Sequence, residues 1–406
     1  MSATGRPNED APAASDVAAR LRDAGFVRVV GAATGDGLAG SGVLARALAA
    51  RDRPFQVSLA ALPTDADRAT EADLTVAVGR SDASADCSLS GTGRSASAAA
   101  FDVAQELADG TGTDDDDATD SAGGATDSDL VALALAGAVA DGRAPAGSLA
   151  EAATAAGIER VPGVAVPTHD LADGLTHSTL VHAPFSGDAE AAAETVADLG
   201  LADEADSGEL TAEERRRLAS LVAIRAVGSD DVPPRGGDAV ERFLRPHAGG
   251  PFDTVGGYAD VLDAVARERP GTGVALALGH DVREDALATW RDHARRAHES
   301  VREATTGRYD GLFVARAESS DAPVETLARL VHAYRSPEPL TLAVTDGAAA
   351  AMAAEGVDLS SPLSAAADAA DGACESRATG AVPDACGFAR FEADTATFIT
   401  AFREAL

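Results

Sequence analysis

The stretch VVGAATGDGLAGSGVLARAL, residues 29–48, decides the fold class of this chain. It continues an apolar run that begins at residue 26, and residues 26–30 predict a β-strand. The glycine-rich residues 31–37 then predict a turn, and the small apolar residues 40–50 predict a helix. A strand that leads through a turn into a helix begins a βαβ unit, so the sequence predicts an α/β protein with a doubly wound parallel sheet.

The same alternation continues through an N-terminal domain, which we place at residues 17–190. Its apolar runs and alanine-rich segments predict further strands at residues 56–62 and 74–78 and helices at residues 96–107 and 130–140. Residues 110–129 form a low-complexity acidic insert with four consecutive aspartates. We predict that this insert is a mobile loop.

Two further regions follow the N-terminal domain. Residues 191–250 predict a helical connector in which Thr211 opens a charged helix, with a linker rich in Pro and Gly around residues 232–250. Residues 251–406 predict a second, smaller α/β domain. Its expected elements are helices at 257–267 and 282–305, strands at 273–278, 311–315 and 340–344, and a closing strand and helix within 388–406.

The charge composition indicates a halophilic, salt-adapted protein. The chain carries 66 acidic and 33 basic residues, a net charge of −33, and every basic residue is Arg. In multimolar salt the Debye length is about 3 Å or less, so repulsion between carboxylates is screened while they keep the surface hydrated. We favour this solvent adaptation over a dedicated surface for basic partners. Nucleic-acid binding stays open, because a salt-adapted proteome must handle DNA with acidic proteins.

The chain shows no signal for a membrane or an oxidising compartment. No stretch approaches the roughly 20 apolar residues of a membrane span, and residues 1–16 are polar rather than a signal peptide. We therefore expect a soluble cytoplasmic protein with no membrane partner. Cys87, Cys374 and Cys386 are too few and too irregularly spaced for a disulfide framework or a zinc site. We predict that they are free, with Cys374 and Cys386 on a flexible segment.

The turn at residues 31–37 is a candidate phosphate site, since backbone N–H groups at the start of a helix bind anions. It lacks the Lys-Ser/Thr ending of a P-loop and the spacing of a dinucleotide fingerprint, so an ordinary tight turn is the favoured interpretation. The sequence contains no Gly-x-Ser-x-Gly elbow at a strand-to-helix turn, which argues against a serine hydrolase.

Histidines offer a second candidate site. Three of them, His169, His177 and His182, lie in one loop-rich stretch with Asp170 and Asp173 nearby. Such residues can bind a metal, but the irregular spacing favours ordinary polar loop residues. The other histidines that we considered are expected at the surface: His293, His298 and His332.

The densest basic cluster of the chain consists of Arg215, Arg216 and Arg217. These side chains either contact a phosphate backbone or an acidic partner, or they neutralise nearby acids on one helix face. The second interpretation is favoured on the residues alone.

The opening stretch resembles the first motif of the DHH phosphoesterase superfamily, in which a strand ends in His-x-Asp-x-Asp-Gly and runs into a small-residue helix. At the family's His this chain has Ala32, and at the first Asp it has Thr34, whereas Asp36 and Gly37 match. Residues 73–79 resemble the second motif, a strand that ends in a metal-binding Asp, with Gly79 at that position.

Later segments are similar to the archaeal RecJ-like branch of this superfamily. The Asp-His-His signature is missing, but the helix at residues 130–141 keeps the carboxylate of a family element as Asp141. Residues 257–264 resemble a Tyr-x-x-x-Leu-Asn-Ala pattern, with Asp263 in place of the Asn. Residues 377–387 lack the Gly-Gly-x-x-x-Gly-His type of substrate loop that active relatives carry.

The resemblance implies a DHH-like N-terminal domain, a DHHA1-like C-terminal domain and one of two functions. The favoured function is a catalytically impaired replication or repair factor that acts as a scaffold beside the GINS complex and the MCM helicase. The alternative is an exonuclease or oligonucleotide phosphodiesterase that acts on single-stranded nucleic acid with Mn²⁺ or Mg²⁺, using Asp36 and Asp141 as remaining ligands. Two-metal hydrolysis needs several converging ligands, and these two carboxylates are too few. A cleft between the domains would also suit single-stranded nucleic acid without cutting it.

Overall fold

The computed structural model describes most of the chain. The described residues are 13–62, 71–80, 82, 84–89, 93–109, 123–200, 210–229, 232–354, 357–378 and 385–406. Most of the predicted mobile insert, residues 110–122, lies outside these ranges. Its last part, from Gly123 onward, is the start of a helix rather than a loop.

A parallel sheet forms the N-terminal half, as the opening stretch predicts. Its four strands have the order β2-β1-β3-β4. They are β1 (Val27–Ala32), β2 (Phe55–Ala60), β3 (Leu74–Val78) and β4 (Cys87–Leu89). The helices of this half are α1 (Ala14–Asp23), α2 (Gly35–Ala49), α3 (Ala96–Asp109), α4 (Gly123–Ala140) and α5 (Gly147–Ala155).

Glycines allow α2 to begin almost directly after β1. A Cβ at Gly37 would lie 2.4 Å from the carbonyl oxygen of Ala32, and a Cβ at Gly31 would lie 2.4 Å from the hydroxyl of Ser41. Real Cβ atoms do not approach other atoms so closely, so only glycine fits at these two positions. Helix α2 therefore starts five residues earlier than predicted, and its N-terminus lies at the carboxyl edge of the sheet.

The middle of the chain is helical, as predicted. It contains α6 (Leu171–His177), α7 (Ala189–Ala197), α8 (Ala212–Val227) and α9 (Arg235–Phe243). Thr211 caps α8 through a capping box with Glu214, which confirms the predicted start of that helix. Helix α9 falls within the stretch that we expected to be a linker.

Three helices connect the two sheets, and one of them corrects a prediction. They are α10 (Val255–Glu268), α11 (Pro270–Ala277) and α12 (Arg283–Glu303). Residues 273–278, predicted as a strand, belong largely to α11, which begins with proline at its first turn. Apolar residues of α10, α11 and the first half of α12 share one core with β1 and α2, so this core crosses the predicted boundary at residue 251.

The C-terminal half contains a mixed sheet of six strands in the order β5-β6-β7-β8-β10-β9. Strands β6 and β7 are parallel, and the other neighbouring pairs are antiparallel. The strands are β5 (Thr305–Tyr309), β6 (Leu312–Arg316), β7 (Leu340–Thr345), β8 (Ala348–Ala353), β9 (Ala373–Ala378) and β10 (Ala385–Arg390). The helices are α13 (Val324–Tyr334), α14 (Ser360–Ala369) and α15 (Thr395–Glu404).

Two sequence expectations can be judged against this second half. The strands predicted at residues 311–315 and 340–344 are confirmed as β6 and β7. Cys374 and Cys386, expected on a flexible segment, are strand residues of β9 and β10. Both thiols and that of Cys87 are free of disulfides.

The described part of the chain holds no helix that combines the length and the apolar character needed to cross a bilayer.

Candidate functional site

A cavity of about 390 Å³ lies where the carboxyl end of β1 faces the C-terminal sheet, and we call it the cleft. Residues from both halves and from the connecting helices line it. The polar ones are Thr34, Asp36, Asp141, Arg235, Asp238, Arg242, Asp263, Arg267, Glu325, Arg329, His332 and Cys386. The fold thus brings together Asp36 and Asp141, which are far apart in sequence.

Asp36 is a buried carboxylate that holds the start of α3. Its two oxygens accept hydrogen bonds from the N–H groups of Ala96, at 2.7 Å, and Ser97, at 2.9 Å. Burial, followed by the negative charge of Asp141, raises the pKa of Asp36 to about 7. Asp36 therefore serves as a helix cap, and near neutral pH a large share of this side chain is uncharged.

Asp141 lies at the end of α4 and is paired within its own turn. Its Oδ2 accepts a hydrogen bond from Nε of Arg143 at 2.7 Å, and both side chains are largely buried. A guanidinium placed so close competes with any other cation for this carboxylate. Both carboxylates that the resemblance marks as remaining ligands thus have partners inside the protein.

The N-terminus of α2 carries an internal anion. Gly35 donates its N–H to Oδ1 of Asp263 at 2.9 Å, and Gly37 donates to the hydroxyl of Thr34 at 3.2 Å. Burial alone would raise the pKa of Asp263, but the charges of Arg267 and Arg329 bring it down to about 2. A charged carboxylate from α10 therefore occupies the place where a phosphate would bind at this helix start, and the ordinary turn is the better interpretation.

Arginine side chains dominate the rest of the cleft, and sequence reasoning missed them. Arg267 contacts Asp263 at 2.5 Å and Glu325 at 2.9 Å, which links α10 to α13. Arg329 donates to the carbonyl oxygen of Thr179 at 2.8 Å. Arg235 of α9 approaches Nε2 of His332 at 3.1 Å and donates to the carbonyl oxygen of Ser336 at 3.0 Å. The spacing of Asp263 and Arg267, four apart on one helix, was the only local signal for this cluster.

Three histidines that we expected at the surface are buried. The exposed fractions are 2% for His293, 0% for His298 and 2% for His332. His293 lies between Glu268, at 2.7 Å, and Thr326, at 2.9 Å. His332 contacts the hydroxyl of Thr341 at 3.0 Å. The error has a physical cause: polar partners on α10, α13 and β7 make burial of an imidazole favourable, and a single helix does not reveal those partners.

The histidines proposed for a metal site have separate partners. His169 pairs with Asp253 at 2.8 Å, and His177 pairs with Asp173 at 3.0 Å. His182 stacks on His298, with 3.2 Å between their Nδ1 atoms. These separate partners favour the interpretation that the three histidines are structural residues rather than ligands of one shared metal ion.

The arginine cluster of α8 lies elsewhere. Arg216 pairs with Glu213 at 3.3 Å, and Arg217 donates to the carbonyl oxygen of Leu199 at 3.4 Å. Neither of these side chains, nor that of Arg215, is among the described residues that line the cleft. Any contact that they make with a partner would therefore be on a different face.

The residues present do not fit a pair of Mn²⁺ or Mg²⁺ ions. Within the described ranges no group of three or more His, Cys, Asp or Glu side chains is placed to hold a metal ion. At the position of the second motif, Gly79 has a φ of +70°, and a Cβ there would lie 3.2 Å from Cα of Gly37. Two-metal sites need several oxygen and nitrogen ligands around ions about 3.5–4 Å apart.

Several solved structures share the fold of this chain. An exonuclease RecJ bound to manganese matches with a TM-score of 0.50 and 15% identity over 98% of this chain and 94% of that one. CDC45 from Entamoeba histolytica matches with a TM-score of 0.53 and 9% identity over 96% of this chain and 97% of that one. RecJ from Thermus thermophilus in complex with Mn²⁺ matches with a TM-score of 0.52 and 16% identity over 96% of this chain. The match spans only 53% of that RecJ. The chain has the DHH/RecJ-like two-domain α/β fold.

A relative in sequence gives the family. The uncharacterized protein rrnAC1427 of Haloarcula marismortui is 53% identical over 412 residues, covering 100% of both chains. A family model described as the C-terminal domain of rrnAC1427 matches residues 304–404. The chain belongs to the rrnAC1427 family.

Proposed function

We propose that this protein is a DHH-fold factor of DNA replication or repair that works as a scaffold without hydrolysing nucleic acid. The observation that carries the proposal is the state of the two remaining carboxylates. Asp36 is engaged by the first N–H groups of α3, and Asp141 is engaged by Arg143. Carboxyl groups that a catalytic centre would direct at metal ions are here used to hold the fold.

The likeness to CDC45 supports the replication setting, since that fold extends over 97% of the CDC45 chain. The resemblance noted in the sequence names the GINS complex and the MCM helicase as the partners to test. The arginines of the cleft would suit single-stranded nucleic acid as a bound ligand.

The competing function is a metal-dependent phosphodiesterase with an altered ligand set. One observation favours it: Asp36 and Asp141 line the same cleft, and the charge of Asp141 contributes to the raised pKa of Asp36. A cation bound between them would reverse that pKa shift.

The deciding experiment is hydrolysis of 5′-labelled single-stranded DNA and RNA by the purified protein in multimolar KCl with Mn²⁺. The matched control is the Asp36→Asn, Asp141→Asn double variant, which removes both charges and keeps side chains of equal size. We expect no cleavage by either protein. Cleavage by the native chain that is lost in the double variant would overturn the scaffold proposal in favour of the phosphodiesterase.

A second experiment tests the partners. The tagged protein is mixed with purified GINS and MCM complexes of the same cell in multimolar KCl, and retention is measured. We expect GINS or MCM to be retained. Retention of neither, together with no cleavage, would contradict the replication role.

A further inference from the structure

A groove of about 560 Å³ lies on the side of the connector, lined by different residues from the cleft. One wall is residues 216–223 of α8. The other wall is a ribbon made of residues 160–163 and 244–245. We call this feature the α8 groove.

The ribbon has a fixed shape. Val161 donates its N–H to the carbonyl oxygen of Pro246 at 2.9 Å, and Arg245 donates to that of Gly163 at 3.1 Å. The next pair, Ala165 N–H to Phe243 oxygen at 2.8 Å, continues the ladder. Because the wall is held by backbone hydrogen bonds, a ligand would meet a preformed surface.

The α8 groove concentrates positive charge in a chain with a net charge of −33. Arg160, Arg216 and Arg245 line it. The side chains of Arg160 and Arg245 are exposed and have no hydrogen bond or ion pair to other described residues. Among the described residues, Arg216 forms an ion pair only with Glu213, and both of these side chains are well exposed, at 61% and 75%. Exposed pairs of this kind are weak, so all three guanidinium groups can bind an incoming anion.

The backbone conformation of Arg245 also supports a role in binding. Its φ is +53°, in the left-handed region that glycine and asparagine adopt with less strain. Of the described non-glycine residues with positive φ, the other two are aspartates, Asp52 and Asp371. A long cationic side chain at a strained position fits a role in binding.

Apolar surface lies beside these charges. Val161, Pro162 and Leu244 line the groove, and Ile224, four residues beyond Ser220 on the same helical face, is 67% exposed. In multimolar salt only charges in close contact attract each other, whereas salt strengthens apolar burial. A ligand must therefore combine carboxylates with apolar side chains. The described lining includes no aromatic residue on which bases would stack, so a peptide fits better than nucleic acid.

We propose that the α8 groove docks a short acidic segment of a partner protein. Carboxylates of that segment contact Arg160, Arg216 and Arg245, and an apolar side chain packs on Val161, Pro162 and Leu244. This inference rests on the proposed scaffold function, which requires a partner-binding surface, and it adds where that surface lies and what chemistry it recognises.

The test is fluorescence anisotropy in multimolar KCl with a short labelled peptide in which Asp and Glu alternate with Leu and Val. We expect saturable binding by the native chain. The Arg160→Gln, Arg245→Gln variant should bind at least about tenfold more weakly, because two charge-assisted hydrogen bonds are lost. Ser220→Glu, which places a carboxylate on the opposite wall, should weaken binding in the same direction.

The matched control is Arg53→Gln, Arg269→Gln, which changes the net charge equally at two arginines outside the groove and should bind normally. A peptide with Gln at every Asp and Glu should not bind. Equal binding of the neutral peptide, or unchanged binding by both groove variants, would overturn the proposal. Displacement of the peptide by a single-stranded oligonucleotide would overturn it in favour of a nucleic-acid surface. The assay contains neither Mn²⁺ nor replication proteins, so its failure is distinct from a failure of the proposed function.

Discussion

Asp260 is a single buried carboxylate on which three elements depend. It is 2% exposed, and its Oδ2 accepts hydrogen bonds from the N–H of Thr179, at 2.9 Å, and from Nε1 of Trp290, at 2.9 Å. Its Oδ1 accepts one from the hydroxyl of Thr179 at 2.5 Å. Helices α10 and α12 and the segment after α6 are thereby joined at one side chain.

We expect Asp260→Asn to lower the free energy of unfolding by about 2–3 kcal/mol, because an amide nitrogen cannot accept the bonds that one carboxylate oxygen now accepts. Urea unfolding in constant multimolar KCl, followed by circular dichroism, measures this. Asp310→Asn, at an exposed residue, makes the same charge change and should stay within about 0.5 kcal/mol of the native chain. Equal effects of the two variants would show that the hydrogen bonds of Asp260 contribute nothing to the free energy of unfolding.

His182, which is half-buried, and His298, which is fully buried, form a pair of stacked imidazoles whose pKa values are both lowered. Burial, with the nearby charges of Arg335 and Arg302, lowers the pKa of His182 to about 4. Burial, followed by His182, lowers the pKa of His298 to about 3. In the unfolded chain each imidazole takes up a proton near its ordinary pKa of about 6.5. Between these values the unfolded state binds protons that the folded state does not, so each imidazole makes the protein less stable as the pH falls.

The variant His298→Gln isolates this effect. The stability of the native chain relative to the variant should be constant above about pH 7 and should fall between about pH 6.5 and 3, with a slope of at most about 1.4 kcal/mol per pH unit for one proton. Urea unfolding of both proteins across this range gives the difference between their free energies of unfolding. Asp36, whose raised pKa stabilises the folded state as the pH falls, is present in both proteins, so its contribution cancels in that difference. A difference that does not change with pH would mean that His298 titrates normally in the folded protein.

At the scale of single residues, motif reasoning found Asp36 and Asp141 but not the arginines around them. A motif is local, and Arg235, Arg267 and Arg329 come from three helices that meet only in the folded chain. Nothing in a single helix tells which of its charged side chains will find a partner on another element.

At the scale of elements, α11 shows where pattern reasoning fails. The run Gly273-Val274-Ala275-Leu276-Ala277 is short and apolar, and such a run suits a buried strand as well as a buried helix. The environment decides: Gly273 lies against Leu38 of α2, and Gly42 of α2 lies against Ala277. Small residues at this spacing allow two helices to approach closely, and the sequence of α11 alone does not reveal that neighbour.

Helix α8 shows where pattern reasoning succeeds, because the capping signal at Thr211 is local in sequence. Its hydroxyl accepts from the N–H of Glu214 at 3.3 Å, and Glu214 accepts from the N–H of Thr211 at 2.8 Å. We expect Thr211→Ala to cost about 1 kcal/mol in urea unfolding. Thr211→Ser keeps the hydroxyl and should restore most of the loss. If the serine variant is as unstable as the alanine variant, loss of the hydroxyl cap is not the cause of the lost stability.

At the scale of the whole molecule, the fold class could be predicted but the strand order of the second sheet could not. One strand, turn and helix were enough to indicate a parallel α/β unit, because those contacts are close in sequence. In the order β5-β6-β7-β8-β10-β9, the neighbours β6 and β7 are separated in sequence by α13, and the neighbours β8 and β10 are separated by α14 and β9. No local pattern carries that information.

Salt dependence is also a property of the whole molecule. With a net charge of −33, dilution to about 0.1 M KCl lengthens the Debye length to about 10 Å and exposes the carboxylates to one another. We expect loss of helical circular dichroism on such dilution and recovery on adding KCl. Glycine betaine, a net-neutral osmolyte, should not replace KCl. A protein that keeps its full signal at low salt would contradict the adaptation that we infer from its composition.

Gly79 limits which side chains its position in the fold can accept. Its left-handed backbone lies against Gly37, so an aspartate placed there would be strained and crowded at once. Placing the residues of the DHH motifs, His, Asp and Asp, at positions 32, 34 and 79 would therefore be expected to lower the free energy of unfolding, so any added metal ligand would come with a loss of stability.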